Sequence, residues 1–408
     1  MSSYQVKKNY YPVQIFFLIL APLGRQMRNV KSLIFNKTKN HMLKHCKYTT
    51  FGVLITLLVT SNLSGQNLKG TTDQTPVAGQ GIKAKIDVLL KKKYQDGKLN
   101  GNILVVKNGK TIYEKSFGYA NGSKSALLTK KDKFGIGSVY KEFPAVAIMQ
   151  LYEKKQLKLE DKASQYITDL PDWGAKISIK NLLQYTSGLP KVGWRTLFSS
   201  GKSITEKDLF AHIQSIKKLR FEPGSDYLYT NCSPLLLMKV VENIARLTFD
   251  QYLTKHILKP FNLPGIVLKN HYPYQDKSSM ALPFNSSFVE DKYKMSAKSL
   301  LFAATAQSLH QWFRKLSHFE VISERSLRHL AKKYQPAAQF QAPLGNVIYD
   351  DKNKEVEHAH HGSNGNYECL VRYFKPADLS IVVLTNQKHR NVHHISQEIY
   401  EIINGQKK

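Results

Sequence analysis

Residues 134–143 read FGIGSVYKEF, and the run continues as PAVAIMQLYEKK to residue 155. A turn holding Gly135 and Gly137 gives way to an apolar stretch of helical length. At that junction Ser138 stands three places before Lys141. A serine at a helix N-terminus has its oxygen among unpaired N–H groups, near the positive end of the dipole. Lys141 follows by one turn and shares that face. The positive end favours an oxyanion over an ammonium, and burial would depress the lysine toward the range of a useful base. An N-cap serine followed by a solvated lysine fits the same residues. The spacing recurs at Ser199–Lys202, in a Ser/Gly-rich loop, and at Ser215–Lys218, in a short amphipathic stretch ending at Pro223. Neither of those opens a long helix.

Outward from this junction the pattern changes twice. Upstream, GIKAKIDVLLKKKYQ (81–95) sets Ile82, Ile86, Leu89 and Leu90 at helical spacing, and two β-rich runs then flank Asn108-Gly109, a hairpin signal. Downstream, roughly 138–330 is mostly helical pattern with loops; in YTSGLP (185–190), Gly188 and Pro190 stop a helix carrying Leu182 and Leu183. Strand pattern returns in NYECLVRYF (366–374) and LSIVVLTN (379–386), joined by KPAD, before an amphipathic helix ISQEIYEII (395–403). The expected fold is therefore α/β of the α+β kind. One antiparallel sheet is assembled from N- and C-terminal strands and flanked by helices, with a mostly helical insertion that leaves a cleft where it meets the sheet.

The 408 residues carry 60 Lys+Arg against 30 Asp+Glu, a formal net charge of +30. Such a charge attracts anionic partners, cell-envelope polymers among them. The lysines are scattered and form no stripe interleaved with aromatics, so a solvated lysine-rich surface accounts for most of it and no specific nucleic-acid partner is expected. The 42% hydrophobic content excludes a disordered chain. Three cysteines, Cys46, Cys232 and Cys369, make neither a disulfide framework nor a paired zinc cluster. Residues 42–66, MLKHCKYTTFGVLITLLVTSNLSGQ, place a basic segment before about ten apolar residues, as in a secretory signal peptide, and that run is too short to span a bilayer. The expected division is an extension at 1–41 outside the native protein, a signal peptide at 42–66, a polar linker at 67–79 and one domain at 80–405. The mature chain has no transmembrane segment and is secreted or periplasmic, with a membrane tether if the leader is not cleaved.

FGIGSVYKEFPAVAIMQLYEKKQLKLEDKASQYI, ISIKNLLQYTSGLP, FEPGSDYLYTNCSPLLLMKVVENIARLTFDQYLTKHILKPFNLPG and EHAHHGSNGNYECLVRYF together resemble the serine β-lactamase and penicillin-binding-protein superfamily, in its branch of class C β-lactamases, DD-peptidases and esterases. The resemblance spans about residues 100–400, with three motifs in the family's order. It implies acyl transfer through a serine ester. Ser138 would attack a carbonyl, Lys141 and Tyr229 would share its proton, and Asn231 would hydrogen-bond the lysine and a substrate amide. His360, at the first position of the family's Lys-Thr-Gly or His-x-Gly motif, would orient Tyr229 and meet a substrate carboxylate or carbonyl. Gly362 would let a substrate backbone lie beside the strand edge, and the N–H groups of Ser138 and Ser363 would form the oxyanion hole. The substrate implied is a small molecule or peptide: a β-lactam, a D-Ala-D-Ala-type peptide or a small ester.

Departures from the family pattern alter the pocket walls: Ser233, Pro234 and Met238 stand where Gly, Tyr and Gly are usual, and Tyr185 replaces a frequent His. Pro144 lies inside the Ser–Lys helix, where it is expected to kink the first turns. HAHH (358–361) admits a metal reading, since His358 and His360 share a strand face, but no acidic or cysteine ligand accompanies them at a recognisable spacing. No metal or cofactor is expected. The alternative function is a non-catalytic binder of cell-wall or peptidoglycan fragments using the same pocket. A binder has no need of Lys141 and Tyr229 beside a helix-terminal serine, which favours the hydrolase.

Overall fold

The computed structural model describes residues 78–334 and 341–405. The extension at 1–41, the leader at 42–66 and the linker up to residue 77 lie outside them. Among the described residues nine strands form two sheets. They are β1 (Gly101–Lys107), β2 (Lys110–Phe117), β3 (Phe134–Gly135), β4 (Ile266–Leu268), β5 (Phe302–Ala304), β6 (Asn346–Tyr349), β7 (Glu355–Asn364), β8 (Tyr367–Phe374) and β9 (Leu379–Thr385). The large sheet is antiparallel in the order β2-β1-β9-β8-β7-β6, so the first and last strands, β1 and β9, pair within it, as the strand pattern predicts. Asn108 and Gly109 take φ of 51° and 69° and close the β1–β2 hairpin.

The helices are α1 (Ala78–Gln95), α2 (Glu142–Glu153), α3 (Ile179–Leu183), α4 (Trp194–Ser199), α5 (Glu206–Gln214), α6 (Cys232–Ala245), α7 (Phe249–Leu253), α8 (Ala306–Ser317), α9 (Glu324–Ala331) and α10 (Val392–Ile403). None is long and apolar enough to cross a membrane. α1 and α10 cover one face of the sheet, where Ile86, Leu90, Ile395 and Ile399 pack on Ile103, Val105, Ile381 and Val383. The alternate residues Leu104, Val106, Val382 and Leu384 join the main core with α2 and α8 on the other face. Burial on both faces explains why β1 and β9 read as unbroken apolar runs.

Three local expectations differ from what forms. β3, β4 and β5 make a small antiparallel sheet inside the helical region; strands of two or three residues are too short to show an alternating pattern. HRNVHH (389–394) reads as a solvated loop, yet its last three residues form the first turn of α10. Pro144 sits in the first turn of α2, where a proline is tolerated, and the helix runs on without a break to Glu153.

Candidate active site

β3 runs through the buried Ile136 into a 3₁₀ turn, Gly137–Lys141, which passes directly into α2. This continuity places Ser138 at the N-terminal end of a helical segment. The Lys141 ammonium lies 3.1 Å from Ser138 Oγ. The other two Ser–Lys pairs are surface-exposed at all four residues.

Lys141 is 3% exposed. Its Nζ lies 4.6 Å from the ring centre of Tyr140 and 4.9 Å from that of Tyr229. Burial brings its pKa down to about 7, close to an even balance of amine and ammonium at neutral pH.

Tyr229 reaches this lysine from the loop before α6, and the segment that positions the loop is YTSGLP. Gly224 N donates to Thr186 O at 2.8 Å, Leu228 N to Tyr185 O at 2.9 Å, and Thr230 Oγ1 to Pro190 O at 2.7 Å. The stretch that reads as a helix stop is thus also the scaffold for the second motif. Tyr185 packs on Tyr229 with ring centres 4.7 Å apart and ring planes tilted by 49°. The Tyr229 hydroxyl is sealed from solvent without a well-formed hydrogen bond. Burial pushes its phenol up, although the nearby Ser138 hydroxyl favours the ionised form. Asn231 sits at the N-cap position of α6, and its Oδ1 accepts from the Tyr140 hydroxyl at 3.2 Å, so the expected hydrogen bond to Lys141, whose ammonium donates to Ser138, does not form.

The third motif arrives on β7. Strand β6 pairs with β7 only as far as Ala359, so residues 360–364 have, among the described residues, no strand on their outer side and lie against the turn that carries Ser138. Two glycines make that approach possible. Gly137 has φ +51°, and a Cβ on it would run into the backbone of Ser363. A Cβ on Gly362 would overlap the carbonyl oxygen of Ile136 and stand 2.9 Å from Ser138 N. The Ser138 and Ser363 amides are thereby brought to opposite sides of one backbone contact. The Lys388 ammonium donates to Ser363 Oγ, adding a half-buried cation that no motif announces.

His360 is buried, and its Nδ1 lies 2.7 Å from Glu142 Oε1. No hydrogen bond joins it to the Tyr229 hydroxyl, so the expected orienting contact does not form. The acidic companion that the sequence spacing does not reveal is Glu142, which also lies 3.1 Å from His358 Nε2. His361, on the opposite face, bonds to Glu368 at 3.1 Å. Among the described residues no cluster of three or more His, Cys, Asp or Glu side chains is arranged to hold a metal ion. Cys232 and Cys369 are buried and free, and burial pushes the Cys232 thiol up to about 11, as suits a small core residue.

Ser138, Lys141, Tyr229, Asn231, Gly362 and Ser363 therefore converge on one place, and Tyr140, Tyr185, Glu142 and Lys388 join them without any signal at the motif spacings. The chain is 24% identical to PbpX of Bacillus subtilis (strain 168) over 311 residues, 75% of each chain. It is 24% identical over 321 residues to Protein flp of Staphylococcus aureus (strain MW2), spanning 74% of this chain but 62% of flp. The fold matches the crystal structure of a penicillin binding protein from Bacillus halodurans with a TM-score of 0.68 at 20% identity, over 77% of this chain and 98% of that one. The family profile described as Beta-lactamase matches residues 86–403, and with the three motifs assembled on the fold its relatives share, the chain belongs to the Beta-lactamase family.

Proposed function

We propose that this protein is an exported serine hydrolase that cleaves an amide or ester through an acyl-enzyme on Ser138. The observation that carries the reading is the 3.1 Å contact between Ser138 Oγ and an ammonium nitrogen whose pKa burial brings to about 7. The neutral amine of Lys141 takes the serine proton as Oγ bonds to the substrate carbonyl carbon. The resulting oxyanion is met by the Ser138 and Ser363 N–H groups. Because burial raises the Tyr229 phenol, we assign Tyr229 the part of proton donor to the leaving group, with Lys141 as the resting base. Asn231 and the β7 edge at Gly362 hold the substrate amide, and His360 stands beside them. The Lys141 ammonium returns a proton to the Tyr229 phenolate; water then attacks the ester carbonyl, and its proton passes through the Lys141 amine to Ser138 Oγ as the acyl–oxygen bond breaks, releasing the acid and the free serine.

The substrate is a β-lactam, a D-Ala-D-Ala-type peptide or a small ester; the name penicillin-binding protein among its fold relatives supports the first two. A buried lysine poised near neutrality has no use in a binder that performs no chemistry, which sets the peptidoglycan-fragment binder behind the hydrolase. The test is covalent labelling by a fluorophosphonate or a tagged penicillin. The native protein is expected to gain one adduct by mass spectrometry and Ser138→Ala none. Turnover of a chromogenic cephalosporin, a D-Ala-D-Ala peptide and a nitrophenyl ester then ranks the substrates. Equal labelling of both proteins would overturn the role of Ser138.

A further inference from the structure

Glu142 follows Lys141 directly and is fully buried, yet no motif of the family reading uses it. Three side-chain donors converge on its carboxyl group. Trp312 Nε1 lies 2.7 Å from Oε2, while His360 Nδ1 at 2.7 Å and His358 Nε2 at 3.1 Å share Oε1. An indole N–H can only donate, so Oε2 is an acceptor. His358 Nε2 also lies 3.1 Å from the Leu344 carbonyl oxygen, and two acceptors around one nitrogen require that it carry the hydrogen. Both carboxyl oxygens are thus filled by donors. Burial works against the charge of Glu142, but the two imidazoles outweigh it and hold the carboxyl down to about 2. With the carboxylate ionised, the 2.7 Å contact to His360 can only be an Nδ1–H donating to it.

The arrangement is an expensive way to fill a core. Burying a charge costs several kcal/mol before its partners repay it, and apolar replacement of such clusters is often stabilising. It also joins two distant parts of the chain: the carboxylate belongs to the turn that carries Ser138 and Lys141, and the imidazole to the strand that carries Gly362 and Ser363. His358, His360 and Gly362 share one face of β7, and that face meets the nucleophile turn.

We propose that Glu142 is a positioning residue of this active site: its carboxylate accepts a hydrogen bond from Nδ1–H of His360, fixes that imidazole in one tautomer and one orientation, and clamps β7 against the turn that carries Ser138. The inference builds on the acyl-transfer reading but is tested apart from it. The charged groups around His360 are Glu142 and Lys141 in the turn and His358 on its own strand. Burial lowers the basicity of His360, Glu142 opposes that, and His358 and Lys141 reinforce it, so a neutral imidazole is the expected form at pH 7. Its Nε2 is then a bare acceptor.

The direct measurement is nitrogen and proton NMR of the folded protein labelled at histidine, with His360 assigned by comparison with His360→Asn. The expected result is a neutral His360 with its hydrogen on Nδ1 and a strongly deshielded proton, which Glu142→Gln removes. In ester turnover, Glu142→Gln is expected to lower kcat about 100-fold with KM changed by less than about 3-fold. Glu142→Asp, which keeps the charge one methylene further back, is expected to recover about tenfold. A hydrogen on Nε2, a doubly protonated ring at pH 7, or a Glu142→Gln protein that melts earlier but turns over within about twofold of the native enzyme would each overturn the proposal. Should Glu142→Gln not fold, the spectrum of the native protein and the Asp variant decide. Should no substrate be turned over at all, the acyl-transfer reading fails and the spectrum still tests the Glu142–His360 bond.

Discussion

Replacing Lys141 by methionine is expected to cost roughly 10³-fold in turnover and at the same time to raise the melting temperature. The two effects share a cause. Lys141 is buried between two aromatic rings, and burial alone takes its pKa from 10.5 to about 7. Between those values the unfolded chain binds a proton that the folded chain gives up, so folding with this lysine is penalised, and stability rises with pH through that window. At pH 7 the penalty is on the order of a few kcal/mol. Methionine fills a similar volume without it, losing the hydrogen bond to Ser138, about 1 kcal/mol, and the ammonium contacts to the Tyr140 and Tyr229 rings, about 1 kcal/mol more. Thermal denaturation across pH checks the sign. The advantage of Lys141→Met should be largest at and below pH 7 and should fade toward pH 10.5. The same pKa governs catalysis in the opposite direction: the base must be the free amine, so kcat/KM of the native protein should rise as pH increases through about 7. A variant that loses stability, with a native profile flat from pH 5 to 8, would refute a lysine poised by burial.

The second large effect belongs to Gly362. Its position on β7 is dictated by backbone: an added Cβ meets the Ile136 carbonyl oxygen and approaches Ser138 N to 2.9 Å. Backbone cannot swing away as a side chain can, so Gly362→Ala must part the strand from the nucleophile turn. The expected outcome is a loss of 10²–10³-fold in kcat, the usual consequence of displacing one oxyanion donor, with about 1–3 kcal/mol of destabilisation from overpacking. His361→Ala, next in sequence but on the opposite face with Glu368, is the control and should change turnover by less than about twofold. Steady-state kinetics with melting curves for the two variants measure both numbers. Equal effects at Gly362 and His361 would mean that the close approach is irrelevant to the chemistry.

Much of this site is legible in the sequence because its signals are local. The Ser138–Lys141 pair is one helical turn, the Asn108-Gly109 hairpin is two residues, and the strands at either end of the domain are short apolar runs. The family pattern adds Tyr229, Asn231, His360 and Gly362, and the fold brings the nucleophile pair, the tyrosine and the β7 edge to one place. The role expected of His360 is different: it bonds Glu142 and makes no hydrogen bond to the Tyr229 hydroxyl. YTSGLP shows the same limit. Its glycine and proline announce the end of a helix, whereas the backbone bonds that make it the bed of the Tyr229 loop leave no mark on residue type.

The amino-acid order alone determined which chemical groups are present and which short segments turn, pleat or coil, since those depend on residues within a few places of each other. Tertiary structure decided their states. Whether Lys141 is an amine or an ammonium follows from its burial. The carboxylate that holds His360 lies 218 positions away along the chain. Desolvation and hydrogen bonding between such distant groups exist only once the two ends of the chain have closed the sheet between them, and no local pattern encodes that closure.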